Sequence, residues 1–303
     1  MNKRDRIDAF GAVSLTGFAL FLAFNQIVIK WVNEGLQPVF FAGLRSALAF
    51  LVLTLWFALA RRPQRLRRRD LVPGVLAGAA FALEFVFLFI ALDLTSVAHT
   101  AILLYSMPVW MALMAHVFLP GERLTAMRSA GLALAFAGVG VAILWRGGAV
   151  AGAHVSLTGD LCALAAAVCW AAIAIIVKSL SLREVKAETQ LYWQLMVSAP
   201  ILLVLSPLFG PLLREFQPAH LLGIAFQALA VASAGFMFWL WLLSIYPASG
   251  VASFSFLTPV FGVALGWLLL GEPLTAGVFV ALVLVALGMV LINRPAREAA
   301  GGA

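Results

Sequence analysis

The chain has 303 residues, of which 64% are hydrophobic and only 11% charged, with a mean hydropathy of +1.05. A water-soluble domain carries roughly 45–50% apolar residues and must cover its surface with polar ones, so this composition excludes a soluble globule and leaves lipid as the solvent. The net charge of +7 does not mark a nucleic-acid binder, because six of the twenty basic residues (Arg61, Arg62, Arg65, Arg67, Arg68 and Arg69) crowd one loop between apolar stretches, where they read as a cytoplasmic topology anchor.

A membrane-spanning helix needs about 20 apolar residues. In chain order the sequence predicts spans over Phe10–Val32, Pro38–Ala60, Leu71–Leu92, Thr95–Phe118, Ala126–Trp145, Leu157–Leu180, Glu188–Leu208, Ala219–Ile245, Pro247–Leu270 and Ala276–Asn293. Lys3, Arg4 and Arg6 precede a first run long enough to span the bilayer, which reads as a retained helix rather than a cleaved leader. The connections are too short to hold a soluble module. Cys162 and Cys169 lie seven residues apart in one apolar helix. That is about 10.5 Å of rise, too far for a disulfide, so they read as packing residues.

With the N-terminus inside, the cytoplasmic flanks collect sixteen basic residues and the outer flanks only Lys30, Arg146 and Arg214, while Arg45 falls within the second span. Ten helices with both termini cytoplasmic satisfy this bias; an odd number would put Arg294 and Arg297 outside.

The chain also repeats itself. Gly11 is followed nineteen residues later by Lys30, and Gly159 nineteen residues later by Lys178. Pro108-Val109 leads through an apolar run to Gly121-Glu122-Arg123-Leu124-Thr125, as Pro259-Val260 leads to Gly271-Glu272-Pro273-Leu274-Thr275; Gly138 and Gly288 complete a register with offsets of 148 to 151. Two five-helix repeats follow, over 10–145 and 157–293. Five is odd, so the second enters the membrane in the opposite sense: an all-α, polytopic protein of inverted repeats, the architecture of secondary transporters.

The twofold pattern of Pro-Val, apolar run and Gly-Glu-x-Leu-Thr resembles the EamA-type members of the drug/metabolite transporter superfamily, over residues about 10 to 293. Within it, Tyr105 ahead of Pro108, Trp170-Ala171-Ala172 ahead of Lys178, and Ser255-Phe256-Leu257-Thr258-Pro259-Val260 are similar to the YddG-type aromatic amino-acid exporters. The resemblance implies ten helices, cytoplasmic termini, a central cavity lined by helices 1, 3, 4, 6, 8 and 9, and peripheral helices 5 and 10 available for pairing. It also implies a bacterial-type inner-membrane location and export of small metabolites, aromatic or other hydrophobic amino acids first and a broad range of drug-like solutes second.

An ionisable group within a span costs several kcal/mol and needs a reason. Glu84 is the most isolated, with no other charge within eight residues on either side, and it lies about 20 Å into the third span. A carboxylate there suits a substrate amine or a coupling proton; the alternative is a structural acid bonded to a neighbouring helix. His99 enters the fourth span at a comparable depth, which leaves open a Glu84–His99 contact or an interfacial role. Among 35 aromatic residues, Tyr105, Trp170, Trp239 and Phe256 fall on the cavity helices that the resemblance implies and away from span ends, where ring faces suit flat or apolar solutes. Lipid cannot satisfy an amide, so Asn25 and Gln227 face protein, as polar contacts to a solute or as interhelical bonds. Gln26, Ser253 and Ser255 are weaker cases of the same kind, and Lys30 and Lys178 read as snorkelling cations. Glu122 and Glu272 read as turn or helix-start residues. Pro108 and Pro259 each remove a backbone hydrogen bond at matching places and are candidate gate hinges.

A rhomboid-like serine site, a Gly-x-Gly-Asp aspartyl site and a His-Glu-x-x-His zinc motif are not read in the sequence. The expectation is therefore a carrier rather than an enzyme, with no cofactor and no metal, whose partners are a small solute, the bilayer and a proton if transport is coupled. Cysteines introduced at Gln64 and Gly148 are expected to label from opposite sides of the membrane with an impermeant maleimide; labelling from one side would remove the inversion.

Overall fold

The structure, a computed structural model of the chain, describes residues 7–62, 64, 66–119, 124–145, 155–246, 251 and 254–293. Its apolar helices are α1 (Ala9–Gly35), α2 (Pro38–Leu59), α3 (Leu71–Leu94), α4 (Val97–Phe118), α5 (Ala126–Leu144), α6 (Leu157–Ser179), α7 (Ala187–Leu205), α8 (His220–Ile245), α9 (Leu257–Leu270) and α10 (Ala276–Asn293). Among the described residues the sole extended pairing is an isolated bridge between Leu36 and Leu213. Helices α1 to α8, α7 together with the short 3-10 turn that follows it, are long and apolar enough to cross a membrane; α9 and α10 are apolar but shorter. Helix α9, at 14 residues, covers about 21 Å of a hydrocarbon core roughly 30 Å thick. Ahead of α9, Ser255 and Phe256 form a turn and Val251 and Phe254 are helical, while 247–250, 252 and 253 of the ninth span expected from the sequence lie outside the described residues.

The sequence marks its own helix starts. Asp8 accepts from Gly11 N, Ser96 from His99 N, Thr125 from Arg128 N and Ser156 from Gly159 N, so side chains take up donors that the first turn leaves free. Gly271, at φ 66°, adopts the left-handed conformation that stops α9.

Helix α4 is two segments, Val97–Leu104 and Met107–Phe118, separated by a turn at Tyr105 and Ser106. Pro108 has no N–H and its ring blocks the preceding turn of a continuous helix. The break satisfies itself: Ser106 Oγ donates to Leu103 O at 2.6 Å, and Val109 N donates to Ser106 O at 2.9 Å. In α9 the corresponding turn, Ser255-Phe256, precedes Pro259, and Thr258 N donates to Ser255 O at 3.2 Å. Helix α8 carries a π-helical stretch over Phe226–Gly235, a widened turn of the kind that recurs at functional sites.

The main packing surfaces pair α3 with α6, α2 with α7, α1 with α9 and α5 with α10, so each joins a helix before residue 145 to one after residue 156. The repeated glycines are close-approach points. A Cβ on Gly11 would lie 2.6 Å from the Tyr246 ring, and one on Gly159 would lie 2.8 Å from Thr95 Cβ at the α3–α4 turn. Lys30, near the end of α1, and Asp160, at the start of α6, reach that same α3–α4 turn, so α1 ends where α6 begins. Gly131 on α5 and Gly288 on α10 face each other, each placing a Cβ within 2.7 Å of the other's carbonyl oxygen.

Gly288→Val therefore has to push α5 and α10 apart, an overpacking cost of about 1–3 kcal/mol. The melting temperature of the detergent-purified protein should fall by several degrees. Gly140→Ala, where a Cβ meets open space, should leave it unchanged or raise it. Equal melting of both variants would show that the α5–α10 contact is not tight.

Candidate functional site

Two opposite charges lie deep in the bundle. Glu84 on α3 and Arg45 on α2 are 7% and 6% exposed, and each is the principal charge felt by the other. The Arg45 guanidinium carbon sits 4.1 Å from the centroid of the Phe85 ring. Among the described residues neither Nε nor Nη1 of Arg45 has a hydrogen-bond partner. Removing such an ion from water costs several kcal/mol, which mutual attraction returns only with well-made bonds.

Around this pair stand aromatic and polar groups from both halves. Tyr105, in the α4 break, is edge-on to Trp170 of α6, with centroids 5.8 Å apart and planes at 83°. The Tyr105 hydroxyl is in hydrogen-bonding reach of Thr258, in the first turn of α9 after its own break. Glu84 acts electrostatically on both Tyr105 and Cys169. Glu84, Tyr105 and Trp170 are thus brought together, with Arg45 and Thr258 added from elements distant in sequence.

The other expected residues lie elsewhere. Asn25 Oδ1 accepts from Gln227 Nε2, tying α1 to the π-helical stretch of α8; these amides answer each other. Trp239 stacks on Phe18, centroids 5.2 Å apart, in a cluster with Leu15 and Tyr246. Phe256 packs against a cluster that includes Ala98, Ile102 and Val263. Glu122 and Ser253 lie outside the described residues.

The α3–α4 turn absorbs the remaining buried charges. His99 Nδ1 lies 3.2 Å from Asp160 Oδ1, and Thr95 Oγ1 donates to the same oxygen at 2.7 Å; the structure gives His99 this partner in place of Glu84. Lys30 Nζ donates to the carbonyls of Leu92 and Thr95, a C-terminal cap on α3 rather than a snorkelling tail. Glu272 Oε1 accepts from Val97 N at 2.7 Å and Oε2 from Ala98 N at 3.1 Å. Glu272 is thus a helix-start residue, as expected, but the helix it caps is α4, in the other half, where the helix dipole favours an anion. A Cβ at Gly266 would lie 2.5 Å from this carboxylate, so glycine there admits it.

Where the arginine-rich α2–α3 linker meets the α6–α7 linker, Arg69 Nη2 donates to Glu184 Oε2 at 2.6 Å and Ser181 Oγ to Asp70 Oδ1 at 2.6 Å. A cavity of about 680 Å³ lies here, lined by Arg62, Arg67, Asp70, Glu184 and Glu188 among others, and another of about 500 Å³ lies beside Tyr192. At the opposite end Arg214 of the α7–α8 linker binds Asp93 through both guanidinium nitrogens, at 2.6 and 3.0 Å. None of the residues expected from sequence lines either of these two cavities.

The family model described as the EamA-like transporter family matches twice, over residues 9–144 and 157–294. The chain is 29% identical to a protein of Escherichia coli (strain K12) described as a "probable amino-acid metabolite efflux pump", over 95% of this chain and 94% of that one. It is 28% identical to the "uncharacterized transporter YvbV" of Bacillus subtilis (strain 168), with 93% of each covered. A solved structure described as "crystal structure of protein" superposes with a TM-score of 0.64 at 19% identity, covering 92% of this chain and 95% of that chain, a likeness of fold alone.

Glu272→Ala leaves the Val97 and Ala98 donors buried without acceptors, a loss of about 1–3 kcal/mol. Glu272→Gln keeps one acceptor oxygen and should lose less. Thermal unfolding of the two variants checks the order Ala below Gln below the parent; a parent-like Ala variant would mean that the cap carries no stability.

Proposed function

The chain belongs to the EamA-like transporter family, and from that premise we propose that it is a secondary carrier exporting amino acids, aromatic or otherwise hydrophobic, across a bacterial-type inner membrane. It is a multi-pass membrane transporter, not an enzyme, and its partner is a small-molecule solute. The observation that carries the finer reading is the convergence of Glu84, Tyr105 and Trp170 at the α4 break, within reach of the matching break in α9. An acidic group beside an edge-to-face aromatic pair suits a solute with a cationic head and a flat apolar part.

The E. coli relative's name points to the same class of solute. Ten spans in two inverted repeats, with both termini cytoplasmic, fit the sixteen-to-three bias of basic residues. They also fit a first helix of each half that meets the third turn of the other half at Gly11 and Gly159. In that arrangement Pro108 and Pro259 are the hinges of two gates working in alternation about the central site. Glu84 binds the ammonium of the solute or holds a proton exchanged for it, and the remaining candidates, Asn25, Gln227, Trp239, Phe256 and His99, support the walls.

Purified protein in liposomes loaded with unlabelled phenylalanine, tyrosine, tryptophan or leucine should accumulate the labelled amino acid by saturable counterflow. Trp170→Ala should weaken aromatic substrates several-fold more than leucine, since one lost aromatic contact is worth about 0.5–1.5 kcal/mol. Glu84→Gln should lower transport about tenfold or more while expression persists. Counterflow of none of these amino acids would remove the substrate class, and a fully active Glu84→Gln would make Glu84 a structural acid.

A further inference from the structure

We propose that Arg45 is the carboxylate anchor of the transported solute, so that Arg45 and Glu84 together select a zwitterion. The solute's carboxylate sits on Arg45, its ammonium on Glu84, and its side chain against Tyr105 and Trp170. This deepens the amino-acid reading given above and rests on it.

The case begins with how this chain treats buried charge. Asp160 accepts from Thr95 and meets His99, Glu272 accepts from two backbone N–H groups, and Lys30 donates to two carbonyls. Arg45 departs from that pattern. It is buried as Asp160 and Glu272 are, yet among the described residues Nε and Nη1 have no acceptor. A buried donor left unanswered costs the full desolvation of that group. Glu84 lowers the electrostatic cost but does not bond Nε or Nη1.

The arginine is also held in place. Its guanidinium lies over the Phe85 ring at 4.1 Å, a contact that fixes the plane of the group while leaving its N–H edges free. A planar donor fork with free edges is matched by a carboxylate. The neighbouring Glu84 decides which carboxylate. A simple anion would meet Arg45 but lie against a like charge; a simple cation would meet Glu84 but lie against Arg45. A solute bearing both charges answers both, and its net neutrality matches a site whose two charges cancel. Tyr105 is the link to the apolar wall, since it feels Glu84 and touches Trp170.

The test is competition in counterflow of labelled phenylalanine, first on the unaltered protein. Phenylalaninamide lacks the carboxylate and 3-phenylpropionate lacks the ammonium. Each should compete about tenfold or more weakly than phenylalanine, the scale of one charge-assisted hydrogen bond. Arg45→Gln should lower phenylalanine transport by a similar factor and abolish the preference for phenylalanine over its amide. Arg45→Lys, which keeps the charge without the fork, should fall between the two. If the amide competes as well as phenylalanine on the unaltered protein, the proposal is overturned whether or not the variants fold. It is also overturned if Arg45→Gln weakens acid and amide equally, or if Arg45→Gln combined with Glu84→Gln restores transport, since Arg45 would then be only a counter-ion. Phenylalanine transport that survives any of these outcomes leaves the amino-acid reading intact; a protein that carries another solute and no amino acid loses both.

Discussion

A polar group that enters an apolar slab has to be satisfied by the chain itself, and here its partner often lies in the other half of the molecule. Glu272 of the second half caps the fourth helix of the first. Asp160 of the second half holds Thr95 and His99 of the first, and Asn25 of the first holds Gln227 of the second. Two five-helix units that each fold around their own core would not need these bonds. The main helix pairings follow the same rule, each crossing between halves, so the candidate site draws Glu84 and Tyr105 from one and Trp170 and Thr258 from the other.

Within this frame buried charges divide into two kinds. Those at the α3–α4 turn are tied by short bonds to backbone and side chains, and they fix the geometry of a turn that would otherwise leave helix-end groups unpaired. Those between α2 and α3 are held by position: Glu84 through its place on a buried helix face, and Arg45 through a ring beneath it. The first kind is what a scaffold requires. The second costs stability in exchange for an unsaturated polar site, a pattern that belongs to function more readily than to folding.

Much of this was legible in the sequence, and the reasons for the rest are physical. The repeat shows through glycines and prolines because close approach and helix interruption admit few other residues, and Gly11, Gly159, Gly138 and Gly288 indeed mark contacts too tight for a Cβ. Glu84 showed because an isolated carboxylate in an apolar run is expensive wherever it points. Arg45 has the same isolation in its span and carries the same cost, a signal that placing it outside the topology count leaves unweighed. The amides were correctly read as facing protein, but no local pattern says that Asn25 and Gln227 meet each other across 202 positions. For His99 the sequence leaves open a contact with Glu84 or an interfacial role, while its partner, Asp160, comes from the start of the other half. The role of Glu272 was hidden for the same reason: its spacing places it in a turn, and the donors it accepts from are 175 and 174 residues away.

The alternation proposed above requires some contacts that break readily and others that do not. The linker contacts at the two ends fit the first requirement. Arg69 and Glu184 are both about half exposed, and pairs of that kind contribute roughly 0–1 kcal/mol, little enough that solvent can replace them. The Arg214–Asp93 pair at the opposite end is also partly exposed, though its bidentate geometry makes it the firmer of the two. Between the ends, α5 and α10 meet backbone to backbone at paired glycines, where no rotamer change can absorb a displacement. Motion is then cheapest where α4 and α9 are already interrupted, since the hydrogen bonds that bending would break were never formed at Tyr105-Ser106 and Ser255-Phe256. Tyr105 lies in the first of these turns and Thr258 just past the second, so a solute that engages Tyr105 acts on the segments least costly to move.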